Sequence, residues 1–410
     1  MTDKATHPRV YLALGMVLNM CLGTVYSWSV FRVPLESHFA VGSVASGLPY
    51  MIMIAVFSMT MPIGGLILKR IGPRRAALLG GLLLGGGWIV SSWAPTMGMV
   101  SLFWGGLGGM GVGVTYVVPL TMAHAWFPRH RGLAMGLVLG GFGMSPFVTA
   151  PVAELIIEHM GVRAAFRILG ATFAVLIPAL AASFHMPEPA VGDAGAGSAA
   201  SRGGATSRID VSPRLMVRTR EFYALWLALL LGSIIGLGAI AITAPWAQRI
   251  VGLSGGAAAL AVSVLAIFNG LGRPLFGFLT DHLGLRRTAI SAFILTTLAS
   301  ITLIMDTGNS LVSFVAAFSV FWLLLGGWLA IAPAATAVLF GAASYAQNYG
   351  IVFQAYGLGA VLGTLYSGRL NDLFGSYRAV LWPILGASLV GIAISWWGFS
   401  RVKLGRIHRG

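Results

Sequence analysis

The sequence predicts an all-α membrane protein whose twelve transmembrane helices form two pseudo-symmetric halves of six. Three observations carry that expectation: a composition unfit for a water-facing surface, a series of apolar runs with alternating flanking charge, and an internal repeat. Of 410 residues, 57% are hydrophobic and 9% charged, whereas a soluble domain is about 25% charged. With 26 Lys and Arg and 11 Asp and Glu, the chain cannot coat a globule with solvated groups. So apolar a chain does not stay disordered either, and it lacks the periodicities of collagen and coiled coils. The single cysteine, Cys21, sits within an apolar run and can form no internal disulfide. The first apolar run, Val10 to Phe31, is longer than a signal-peptide core and is read as an uncleaved first helix.

A bilayer crossing takes about 20 apolar residues. Apolar runs and breakers place crossings at roughly 10–31, 44–68, 76–93, 97–123, 133–157 and 164–185, then 221–247, 257–280, 288–305, 310–339, 349–368 and 379–400. Between the halves, residues 186–220 are rich in Gly, Ala, Ser and Pro, a composition that buries no core and reads as a flexible cytoplasmic linker. The expected units are therefore 1–185, the linker 186–220, 221–400, and a basic cytoplasmic tail at 401–410.

Charge placement tests the count. With the N-terminus in the cytoplasm, the basic groups on that side are Lys4 and Arg9, Lys69, Arg70, Arg74 and Arg75, Arg129 and Arg131, five linker arginines, Arg286 and Arg287, and four tail residues. They make nineteen, against six on the other side: Arg32, Arg163, Arg167, Arg249, Arg369 and Arg378. That asymmetry is the positive-inside pattern for twelve crossings with both termini cytoplasmic. The net charge of +15 is thus topological, and nucleic acid is set aside as a partner.

The repeat relates GGLILKRIGPRR (64–75), after the second helix, to FGFLTDHLGLRR (276–287), after the eighth. GVRAAFRILGA (161–171) and GSYRAVLWPILGA (375–387) open the sixth and twelfth. Two parallel six-helix repeats form a transporter plan, with the binding site between them at mid-membrane.

The loop after helices 2 and 8 resembles the G-x-L-a-D-r-x-G-r-r signature of the major facilitator superfamily; Asp281 keeps its acid, and Lys69 replaces it in the first copy. More narrowly, GTVYSWSVF (23–31), GVGVTYVVPL (111–120), WFPRHRGLAMG (126–136) and FNGLGRPLFGFLTD (268–281) resemble the oxalate/formate antiporter family, itself similar to the monocarboxylate transporters. The resemblance implies the major facilitator fold, a location in the plasma (inner) membrane, small carboxylate substrates, and a conformational role for Asp281, Arg286, Arg287 and Lys69.

Arg273 is the first candidate site residue. It lies eight residues, about 12 Å along a helix, before Asp281 and so near mid-membrane. Intramembrane arginine is costly and ordinarily faces a cavity or a partner, and its planar fork suits a carboxylate. The plainer alternatives are snorkelling to the headgroups and pairing with Asp281. In the family it resembles, the arginine here binds the substrate carboxylate. Asn269 is one turn away on the same face, where animal monocarboxylate transporters typically carry an aspartate implicated in proton coupling; an interhelical hydrogen bond is the structural alternative.

Tyr356 stands where oxalate exchangers have a second cation, a lysine, which leaves Arg273 as the one mid-membrane cation. Tyr26, Tyr116 and Phe142 match family positions that line the cavity with aromatic rings. Leu325 and Leu329 replace Trp and Tyr of the oxalate exchangers. This drift toward apolar types suits a substrate with one charged end and a carbon tail. Glu154 and Glu158, near the far end of the fifth helix, read as wetted interfacial groups.

The eight histidines show no metal-ligand spacing, and no nucleophile and base converge, so neither cofactor, metal nor enzymatic activity is expected. The sequence-based expectation is a monomeric secondary carrier of lactate- or pyruvate-like monocarboxylates, working by proton-coupled symport. Carboxylate exchange of the oxalate/formate type is the alternative, and a multidrug or other solute exporter a remoter one.

Overall fold

A computed structural model describes residues 8–127, 131–184, 211–341 and 344–399. Among them there is no strand. Residues 186–210 of the expected linker and the tail 401–410 lie outside the described residues.

The first crossing is α1 (Pro8–Leu22), a 3₁₀ segment at Gly23–Ser27, and α2 (Trp28–Phe39). The second and third are both in α3 (Ser43–Ser91), whose 49 residues fold back at Gly72, φ 79°. The fourth combines α4 (Met97–Val100), a π-helical stretch at Ser101–Leu107 and α5 (Gly108–Trp126); α6 (Arg131–Met160) and α7 (Val162–Ala181) follow. After a short α8 (Pro213–Met216) come α9 (Arg220–Arg249), α10 (Gly255–Leu283), α11 (Leu285–Met305), α12 (Leu311–Phe340), α13 (Tyr345–Phe374) and α14 (Leu381–Gly398).

Ten of the described helices are long and apolar enough to cross a membrane. One of them, α3, crosses twice. The twelfth crossing is α13, 30 residues long and packed among the others, whose hydropathy alone does not mark it as a span. Its polar residues face protein: Asn348 and Asn371 are buried, and Gln354 donates to the Ser58 carbonyl of α3 at 3.1 Å.

The repeat appears in the backbone. Gly72 and Gly284, 212 residues apart, both turn the chain at φ near 80°, a region closed to most side chains, so each second helix of a half breaks into the third at a glycine. The last residues of the expected linker are folded rather than free. Ser212 and Pro213 begin α8 with Pro at its first turn, Met216 is fully buried, and Val211 donates its N–H to the Phe340 carbonyl at 2.9 Å.

Within the first six crossings α3 packs on α5 and α7, and α1 on α6. Within the last six α10 packs on α12, α9 on α13 and α11 on α14. The two sets meet along two seams, α3 with α13 and α6 with α10. Small residues let the backbones approach there: Gly47 meets Thr364, Gly357 meets Ser58, and Gly270 meets Met144. One end of the bundle carries the corners at Gly72 and Gly284 with Lys69, Arg70, Arg286 and Arg287 and is called here the basic end. The opposite end carries the α2–α3, α9–α10 and α13–α14 turns.

Candidate functional site

At the centre of the bundle, eight side chains from both sets of helices surround about 160 Å³ of atom-free space, none of it wide enough for a water-sized sphere. Tyr26 comes from the 3₁₀ segment, Phe57 from α3, Tyr116 from α5 and Phe142 from α6. Arg273 comes from α10, Leu329 from α12, and Phe353 and Tyr356 from α13. The rings support one another edge to face: Tyr116 on Phe142 at 5.4 Å, Tyr26 on Phe142 at 5.2 Å, and Phe57 on Tyr116 at 5.0 Å, with Phe353 stacked on Tyr356 at 4.9 Å. The Tyr26 and Tyr356 hydroxyls hydrogen-bond to each other, joining the two sets of helices across the cavity.

Arg273 is the only charged residue in this lining and is 4% exposed. Its Nη1 donates to the Leu139 carbonyl across the α6–α10 seam, while Nε and Nη2 are buried without a partner. Those two atoms are one edge of the guanidinium, the edge that takes both oxygens of a carboxylate in parallel. A buried donor without an acceptor costs about 1–3 kcal/mol, more when charged. The site is therefore energetically poised for an anion. Neither plainer alternative for Arg273 occurs: Asp281 is exposed at the basic end, and the ion pairs among the described residues do not involve Arg273.

Six of the eight sequence candidates thus line one cavity: Tyr26, Tyr116, Phe142, Arg273, Leu329 and Tyr356. Asn269 does not. It is fully buried in the seam, its Nδ2 donates to the Trp322 carbonyl of α12 at 3.2 Å, and its unpartnered Oδ1 lies against Gly143 of α6. The interhelical hydrogen bond expected of it is therefore present. Leu325 is also outside the lining, packed on Gly236 of α9. In both cases the helix is enclosed on several sides, so a residue one turn from a lining residue meets a neighbouring helix instead.

Phe57 and Phe353 were missed. Phe353 is three residues before Tyr356, on the same helix face, and Phe57 is the repeat mate of Asn269 at the 212-residue offset of the corner glycines; either relation points to them. Asp281, Arg287 and Lys69 are exposed at the basic end, and no ion pair among the described residues includes them. Arg286 stacks over Trp396 at 3.9 Å.

A second polar assembly closes the opposite end. Arg32, placed by the sequence on this side of the membrane, is 0% exposed, so Arg273 is not the only buried cation. Its Nε donates to Ser46 Oγ at 3.0 Å, Nη1 to the Ala241 carbonyl at 3.0 Å, and Nη2 to the Ser43 carbonyl at 2.5 Å. Glu36, one turn on, lies 3.8 Å from Arg32, accepts from Ser46 Oγ at 2.5 Å and pairs with Arg249 of α9. Asn371 and Tyr377 both donate to Ser43 Oγ, at 2.9 and 3.0 Å.

The profile of the Major Facilitator Superfamily matches residues 12–243, more than half of the chain, and the chain belongs to that superfamily. It is an all-helical, multi-pass membrane transporter. Its sequence relatives include the oxalate:formate antiporter of Oxalobacter formigenes, 28% identical over 383 residues that span 90% of this chain and 87% of that one. Monocarboxylate transporter 13 of Bos taurus is 28% identical over 365 residues, 88% of this chain and 82% of its own. Among solved structures, an inward-facing, unoccupied bacterial homologue of the human lysosomal transporter Spinster shares the fold at TM-score 0.74 and 16% identity, over 96% of both chains. A D-xylose–proton symporter does so at TM-score 0.74 and 13% identity, over 96% of this chain and 98% of that one. At such identities the likeness is one of fold.

Proposed function

We propose that the chain carries small monocarboxylates, lactate- or pyruvate-like, across the plasma membrane by alternating access, with its termini in the cytoplasm and one substrate held between the two halves. One observation carries the reading: Arg273 is buried among aromatic rings with the Nε–Nη2 edge of its guanidinium unpartnered. A carboxylate would satisfy both donors and neutralise the charge. The phenols of Tyr26, Tyr116 and Tyr356 supply the other polar side-chain atoms of the cavity, and Phe57, Phe142, Leu329 and Phe353 enclose a short carbon tail. Arg273 neutralises one negative charge, so a dianion would retain an unpaired one. The kinship with carboxylate carriers supports this substrate class.

The coupling is proton symport, by analogy with monocarboxylate carriers. A second reading, carboxylate exchange, has a specific observation in its favour: among the described residues no Asp, Glu or His lines the cavity, so the lining offers no carboxylate or imidazole to carry a proton. Uptake of labelled lactate into proteoliposomes tests both. Under symport, an inward acid gradient accelerates uptake and a protonophore abolishes accumulation. Under exchange, uptake ignores the gradient and requires carboxylate inside the vesicle. If neither regime moves lactate, pyruvate or related acids, the monocarboxylate reading is wrong.

A further inference from the structure

The closed end opposite the basic corners is held by two carboxylates placed alike. On the α3–α13 seam, Asp372 of α13 accepts from the backbone N–H of Ser43 at 2.9 Å through Oδ1 and from that of Val44 at 3.0 Å through Oδ2. These are first-turn donors of α3, which no residue of their own helix can satisfy. On the α6–α10 seam, Glu154 of α6 lies over Gly255, the first residue of α10, so closely that a Cβ there would collide with Oε1. Glu154 is partly exposed, as the sequence led one to expect of a wetted group, and its carboxylate lies against the Gly255 backbone. Ser43 and Gly255 are 212 residues apart, the offset of the corner glycines, so they are the same position of the repeat. The carboxylates also correspond in helix: α6 is the fifth crossing and α13 the eleventh.

We propose that Asp372 and Glu154 are reciprocal latches of the carrier. Each half extends a carboxylate from its fifth helix onto the positive N-terminal end of the other half's second helix. A carboxylate is attracted to that end by the helix dipole and its unpaired N–H groups. The contact spans the halves, so it exists only while this end is closed, and it must break before substrate can reach Arg273 from this side. The two latches differ in strength: Asp372 accepts two backbone hydrogen bonds, and Glu154, partly exposed, lies against Gly255 at the start of its helix. The proposal rests on the alternating-access reading, but its test uses no substrate and so fails or succeeds independently of the substrate assignment.

The test is the alkylation rate of a cysteine at Thr364, introduced with Cys21→Ala into the full-length protein in lipid nanodiscs, where a maleimide reaches both faces. Thr364 is fully buried, two turns from Asp372 and two turns from Tyr356, so it reports the path between latch and cavity. Val138→Cys, fully buried one turn from Phe142 toward the basic end, is the control. Asp372→Asn should raise labelling at 364 by about five- to thirty-fold, the scale of a partly buried helix-dipole contact, and Asp372→Glu should restore it. Glu154→Gln and Gly255→Ala should each raise it by a smaller factor, and the Asp372→Asn, Glu154→Gln pair more than either alone. Labelling at 138 should stay constant or fall. Equal increases at 364 and 138 would mean general loosening and would overturn the proposal, as would unchanged labelling at 364. An effect of Asp372→Asn with none of Glu154→Gln or Gly255→Ala would overturn the reciprocity.

Discussion

Two arginines are buried in this molecule to nearly the same degree, and they do opposite things. Arg32 is 0% exposed and Arg273 4%. Around Arg32 every guanidinium nitrogen has an acceptor, and Glu36 lies one helical turn away. Around Arg273 one nitrogen has an acceptor and two have none. A charge removed from water is tolerated only when its neighbours replace that water. At Arg32 the protein does so itself, tying α2 to α3 and α9. At Arg273 the replacement is left to whatever enters. Burial and charge alone do not distinguish these two arginines; the count of unsatisfied donors does.

The largest effect expected from this contrast is on transport. Arg273→Ala should abolish carboxylate uptake in proteoliposomes, and Arg273→Lys should largely do so, because an ammonium keeps the charge but loses the planar edge. Near-normal uptake by the alanine variant would remove Arg273 from the site.

Next comes stability, where the two arginines should differ in sign. Arg32→Ala leaves Glu36 buried with less compensation; removing one partner of a buried pair costs about 3–5 kcal/mol, with Arg249 holding this case to about the lower figure. Its melting temperature should fall by several degrees. Arg273→Ala removes two unsatisfied buried donors and should leave the melting temperature unchanged or raise it. Equal losses in the two variants would erase the distinction drawn above.

The third prediction asks how much charge the cavity accepts. A dianion beside one arginine leaves a buried charge unpaired, a cost of about 3–5 kcal/mol, or about a hundredfold or more in affinity. Wild-type protein should therefore be stabilised by lactate and not by oxalate in thermal-shift measurements. Tyr356→Lys places a second cation in the same lining and breaks the hydroxyl contact with Tyr26. It should lose the lactate response and acquire one to oxalate. Equal stabilisation of the wild type by both acids would end the single-cation argument.

Much of this was legible in the chain itself. Composition, apolar spacing and the 212-residue repeat determine an all-helical, twice-six membrane bundle because each crossing must satisfy its own backbone within the bilayer, a local demand that sequence expresses directly. That Arg273 and Tyr356 lie at one depth was readable because depth along a helix is simple arithmetic, and Tyr26, Tyr116, Phe142 and Leu329 were readable as their neighbours through the family the motifs resemble; all six line one cavity. What sequence could not decide is which way each side chain turns once helices pack on several sides. Asn269 and Leu325, one turn from lining residues, pack instead against Gly143 of α6 and Gly236 of α9, while Phe57 came to the cavity. Sequence assigned Arg32 a side of the membrane but no partners, and it read Glu154 as a wetted group. Only the tertiary structure brought Ser46, Ala241 and Gly255 to them, because those partners lie on other helices and a contact between distant helices leaves no period or spacing in either one.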